Sequence, residues 1–141
     1  MSFRPKLRRL RRINRADCSM LVEAAVNVLV YRLIVIFLPL RHYASQASAA
    51  SGGCSAPAEL ARRIGWSVQV AARHMPCAAA CLPQALAARQ MLARRGYATT
   101  LRLGVRLVGP SLHAHAWLQS GNTTVIGEAG VAGMVPIARF G

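Results

Sequence analysis

Three residue types in the second half of this 141-residue chain could do covalent chemistry together. Cys81 opens the stretch Cys81-Leu82-Pro83-Gln84-Ala85-Leu86-Ala87, whose composition suits the start of a helix. Helix starts favour thiolates, because unpaired backbone N–H groups and the helix dipole face the sulfur. His113 and His115 follow in His113-Ala114-His115-Ala116-Trp117, a segment that alternates like a strand. Beyond position 59 the chain has one carboxylate, Glu128. A helix-starting thiol, a strand imidazole and a following acid are the parts of a thiol hydrolase or acyltransferase. The base takes the thiol proton, and the third group fixes its tautomer and orientation. Helix amides near the sulfur can donate to an oxyanion. Cys77 is the rival nucleophile, next to Pro76; His113, on the same strand face as His115, is the rival base. Each residue also has a bland reading, since a cysteine in an Ala-rich helix commonly serves as a small core side chain.

The elements that must position these groups can be traced along the chain. Asp17 suits a helix cap, and the helix it would open runs through Met20, Leu21, Val22, Ala24, Ala25, Val28 and Leu29 toward Phe37, with Pro39 at its end. Apolar residues surround nearly the whole cylinder. Glu23, Asn27 and Tyr31 recur at i, i+4 and i+8 as one polar stripe. Glu23, Asn27 and Arg32 interrupt what would otherwise read as a membrane span, yet the helix leaves membrane contact open. A secretory signal is a second suspicion, but the cleanest apolar run, Leu33 to Leu40, is short and is followed by Arg41. Small and polar residues then suggest a linker. Ser55 suits the cap of a helix with Pro57 in its first turn and Leu60, Ile64, Val68 and Ala71 or Ala72 on one face. The Cys81 helix closes near Gly96, after Arg94 and Arg95.

From Thr99 the period becomes two, with Leu101, Leu103, Val105 and Leu107 opposite Arg102, Gly104 and Arg106. Gly109-Pro110 marks one turn and Ser120-Gly121-Asn122 another, followed by a strand from Thr123 to Glu128. A hairpin about Gly121 brings His115 opposite the region of Gly127 and Glu128. Helices followed by an antiparallel meander make an α+β fold. Three parts are expected: a basic arm and apolar helix over 1–43, a linker over 44–56 and the core over 57–141.

Charge is lopsided, with 18 Lys and Arg against 4 Asp and Glu, a net +14. Seven of the basic residues lie in the first fifteen positions: Arg4, Lys6, Arg8, Arg9, Arg11, Arg12 and Arg15. Such an arm either binds an anionic partner or is simply solvated. No zinc-finger, RNP-type or helix-turn-helix pattern accompanies it, which argues against a nucleic-acid reader. Cys18, Cys54, Cys77 and Cys81 form no disulfide framework or CxxC motif, so free thiols in the cytoplasm are expected.

Taken together, Cys81-Leu82-Pro83-Gln84-Ala85-Leu86-Ala87, Arg94-Arg95-Gly96-Tyr97, Leu101-Arg102-Leu103-Gly104-Val105 and Ala114-His115-Ala116-Trp117-Leu118 resemble the lasso-peptide biosynthesis B protein family. The ending, with Val125-Ile126-Gly127-Glu128 and Pro136-Ile137-Ala138-Arg139-Phe140, is similar too, so the likeness spans roughly residues 60–141. It implies a papain- or transglutaminase-like cysteine peptidase that removes the leader from a ribosomally made precursor peptide. A separate cyclase resembling an asparagine synthetase would then close the macrolactam. The resemblance assigns Cys81 as nucleophile and His115 as base. Glu128 falls where the family usually has an Asp as orienting acid, and Trp117 beside the site. It implies, further, a split system in which a small winged-helix-type protein holds the leader while this chain cuts. ATP dependence is associated with the family, but this chain has no phosphate-binding loop and no cofactor is expected in it. Two other readings remain: a thiol acyltransferase or amidase on the same fold, and a non-catalytic basic adaptor for RNA or anionic membrane.

Overall fold

The computed structural model describes residues 14–39, 42, 53–75 and 80–141. The basic arm up to residue 13, most of the stretch read as linker, and Cys77 lie outside the described residues. Helix α1 (Arg15–Phe37) is capped by Asn14 and not by Asp17. Asn14 Oδ1 accepts the Arg15 N–H at 2.7 Å, while Asp17, three residues on, accepts the Asn14 N–H at 3.4 Å. That reciprocal pair is a capping box, so Asp17 serves the helix start from inside the first turn. It also accepts a hydrogen bond from Arg63, which holds its carboxyl below the usual carboxylate range.

The stripe of Glu23, Asn27 and Tyr31 faces inward. Helix α2 (Ala58–His74) and helix α3 (Cys81–Ala93) pack against this side of α1. Asn27 is buried and donates to the Glu23 carbonyl at 2.8 Å. Glu23 accepts from both terminal nitrogens of Arg95, at 2.7 and 3.1 Å, and this bond raises the Arg95 pKa. The Tyr31 hydroxyl donates to Gln90 Oε1 at 3.3 Å. Between these polar ties, Ala24 and Val28 are completely buried. The opposite, apolar side of the helix faces outward.

α2 buries Ala61, Ile64, Val68, Ala71 and Ala72, the face that a 3.6-residue period selects. Its N-cap is Pro57 with no side-chain cap, and Ser55, expected to cap it, lies two residues earlier in a strand. Strand β1 (Cys54–Ser55) runs parallel to β2 (Tyr97–Ala98), and the Ala56 N–H donates to buried Ser120 Oγ at 2.8 Å. The end of the linker-like stretch is therefore built into the fold. α3 is the central helix. Ala85, Ala87 and Ala88 have no exposed surface, and these small side chains let helices and sheet close around it.

β3 (Thr100–Val108), β4 (Ser111–Ser120) and β5 (Thr123–Ile126) form the expected antiparallel meander. A further strand, β6 (Val135–Phe140), extends the sheet beside β3, giving the order β5-β4-β3-β6. Pro136 hides this strand from pattern reading, and an edge is where a strand proline is tolerated. Leu101, Ala116, Leu118, Val125 and Ile126 join the helices in one core. The architecture is α+β, as the change of period predicts.

Candidate active site

α3 begins at Cys81, preceded by Ala80 in an extended conformation with no side-chain cap bond. Pro83 has no N–H and the Gln84 N–H closes the first helical turn onto the N-cap carbonyl, so the first-turn amides of Cys81 and Leu82 are the donors that helix geometry leaves without an intrahelical partner. Cys81 is half-buried and lines a cavity of about 810 Å³. Gln84, one turn further along α3, lines it as well, as do Gln69, Ala72 and Arg73 from the end of α2. The far wall is built by His115 and Ala116 of β4 and by the chain from Ile126 to Gly130.

His115 is half-buried on the last part of β4 before the strand enters the core. Its Nε2 lies 2.8 Å from the Gly127 carbonyl oxygen. A carbonyl can only accept, so Nε2 carries the proton and donates it. Nδ1 is then the ring nitrogen that can take a proton from another group. Trp117, buried two residues along, has its ring plane 18° from the imidazole with centroids 6.3 Å apart. Gly127 adopts φ +90, and a Cβ there would stand 2.7 Å from Trp117 Cβ. Only glycine turns the chain at this point without collision. The turn aims the carbonyl at His115 and starts the 3-10 segment Glu128–Gly130.

Cys81, His115 and Glu128 all contribute to the cavity wall. Glu128 is exposed, and the hydrogen bond at His115 Nε2 runs to the backbone of the preceding residue. His113 is exposed and absent from this wall, so the two histidines that sequence alone left equivalent are distinguished. Trp117 packs beside His115 as expected. Gln69, Arg73 and Gly130 escaped notice in the sequence, and Gly127 was placed opposite His115 there without a role of its own. Gln69, Ala72 and Arg73 do share an i, i+3, i+4 face, and Gly127 and Gly130 bracket Glu128 as close-approach glycines.

A family model described as Transglut_core3, transglutaminase-like superfamily, matches residues 24–139. The chain belongs to this superfamily. No curated protein and no solved structure matches it. The match begins within α1, consistent with the packing of that helix on α2 and α3. Transglutaminase-like membership agrees with the mixed helical and antiparallel architecture, a fold of the cysteine peptidase and acyltransferase type.

Proposed function

We propose that this transglutaminase-like protein is a cysteine peptidase that removes the leader of a ribosomally made lasso-peptide precursor. The observation that carries the catalytic reading is the shared cavity of Cys81 and His115, with Nε2 of His115 held by the Gly127 carbonyl. His115 Nδ1 takes the Cys81 proton, and the sulfur adds to the scissile carbonyl carbon. First-turn amides of α3 stabilise the oxyanion. The tetrahedral adduct collapses, the C–N bond breaks, and the imidazolium proton leaves with the amine of the core peptide. Water, deprotonated at the same nitrogen, then hydrolyses the thioester to free leader acid and thiol. Glu128, on the cavity wall, is the candidate to support the imidazolium electrostatically.

The choice of substrate rests on the motifs around Cys81 and His115 that resemble the lasso-peptide B proteins. In that scheme a small winged-helix-type protein holds the leader, and an asparagine-synthetase-like cyclase closes the ring after the cut. The test is mass spectrometry of a candidate precursor with wild-type or Cys81→Ala protein, each with and without the leader-binding partner. Release of free leader by wild type only, enhanced by the partner, is the expected result. A new amide at the cut end would indicate acyl transfer instead. Equal turnover by Cys81→Ala would overturn the assignment of the nucleophile.

A further inference from the structure

Among the described residues, the outer side of α1 is an extended apolar feature that the site does not use. Val22, Val26, Leu29, Leu33, Ile36 and Phe37 are all exposed, Val22 and Ile36 to 64% and Phe37 to 78%. The first five are spaced 4, 3, 4 and 3, which keeps them on one continuous stripe of the helix. Scattered single apolar residues on a surface need no explanation, but a stripe along a 23-residue helix does. The inner side of the same helix carries Glu23, Asn27 and Tyr31 among buried Met20, Ala24 and Val28, so the helix is apolar on both sides and its outer apolar face is left uncovered by the fold.

We infer that this face of α1 docks in the plane of an anionic lipid surface. Charge selects this occupant over a second copy of the chain. Seven basic residues fall in the first fifteen positions, immediately before and at the start of the helix, and the whole protein carries a net +14. Anionic headgroups complement that segment, whereas two copies would bring like charges together. An apolar face preceded by a polybasic segment is the combination that interfacial binding uses, each part being weak alone.

The helix has the length and hydropathy to cross a bilayer, but its packing opposes that. Ala24 and Val28 are fully buried against the core, and Glu23 is bound by Arg95. Spanning would strip these contacts from α2 and α3 and carry Glu23 and Asn27 into hydrocarbon. Lying in the interface keeps every one of them.

The test uses the full-length chain with vesicles of phosphatidylcholine alone or mixed with phosphatidylglycerol, read by co-sedimentation. The mixed vesicles should bind the protein at least ten-fold more tightly, and high salt should weaken that binding. Leu29→Glu with Leu33→Glu should reduce binding at least ten-fold while leaving the circular dichroism and melting temperature unchanged, because these exposed side chains lie outside the core. Tryptophans at Val22→Trp and Phe37→Trp should be quenched by brominated lipids at equal, shallow depth. Absence of binding to anionic vesicles, or binding indifferent to the double substitution, would overturn the inference. Unequal depths would replace docking by spanning. A lipid-free dimer dissolved by the same substitutions would assign the face to a second copy, and RNA binding without lipid binding would assign the arm to nucleic acid. The Cys81→Ala protein should behave as wild type, so these outcomes are independent of the chemistry at that residue.

Discussion

Nε2 of His115 and the carbonyl oxygen of Gly127 stand 2.8 Å apart just past the end of β5. The backbone thus fixes the imidazole tautomer, a task that a third side chain performs in many triads. Losing the Glu128 carboxylate should consequently leave both the tautomer and the ring orientation in place. Glu128→Gln is expected to lower kcat by about ten-fold or less, whereas Cys81→Ala and His115→Ala should each cost about 10³-fold or more. Steady-state kinetics of the three variants checks this, and the Cys81→Ala/His115→Ala double variant should be no worse than either single one. A Glu128→Gln protein as inactive as His115→Ala would show that the carboxylate, and not the carbonyl, governs the imidazole.

Gly130 closes the same turn over the imidazole. A Cβ there would lie 2.5 Å from His115 Cε1 and 2.6 Å from Cδ2. The ring, being the end of a side chain, yields more readily than the strand beneath it. Gly130→Ala should therefore change stability little but tilt the imidazole away from Gly127. Misplacement of a reacting group by about 1 Å can cost about 10²-fold in rate. The expected signature is a fall in kcat of that order with KM and melting temperature nearly constant. A variant that loses stability and keeps its kcat would show that the turn moves instead of the ring.

How much of this was legible in the sequence depended on whether a residue type recorded it. The buried face of α2 was legible, because Ile64, Val68 and Ala71 recur with the helical period. Cys81 at a helix start was legible from the proline two residues on and the alanines beyond. The orientation of α1 was not. Both sides of that helix are apolar, and the choice between them is made by Glu23 meeting Arg95, a contact across 72 positions. The Gly127 carbonyl was invisible for another reason: every residue has a carbonyl, and only the glycines at 127 and 130 hint that this one is in use. β6 was obscured by Pro136, whose edge position becomes apparent only once β3 has a free side to offer.

Tyr31 gives the α1–α3 interface a pH dependence of definite sign. Burial raises its hydroxyl above the ordinary phenol value of about 10, against the opposing influence of Arg89 and Arg94. The neutral form is thus favoured in the folded chain. Its contribution to stability is whole below pH 10 and is lost as pH rises through the folded value. Urea midpoints measured from pH 8 upward should fall more steeply for wild type than for Tyr31→Phe. At pH 8 the substitution should cost about 1 kcal/mol, the ordinary value of the lost hydrogen bond to Gln90. Parallel pH profiles for the two proteins would mean that the phenol titrates alike in the folded and unfolded chains.

Gly65 connects helix packing to the imidazole and supplies the most demanding prediction. On α2 it faces the β5 backbone, and a Cβ would overlap the Val125 carbonyl oxygen and lie 3.1 Å from its carbon. In an exposed helix, Gly→Ala stabilises by up to about 1 kcal/mol. Here the obstacle is backbone, which cannot rotate aside, and overpacking of a core costs about 1–3 kcal/mol. The second effect should win, so Gly65→Ala is expected to lower the melting temperature. Separation of α2 from β5 would also shift Ile126 and the turn at Gly127, since these follow Val125 directly. Loss of kcat should accompany the loss of stability, unlike Gly130→Ala, where only the rate falls. Thermal melts and kinetics on both variants separate the two mechanisms, and a stabilised Gly65→Ala would show that α2 does not rest on β5 as closely as the contact at Val125 requires.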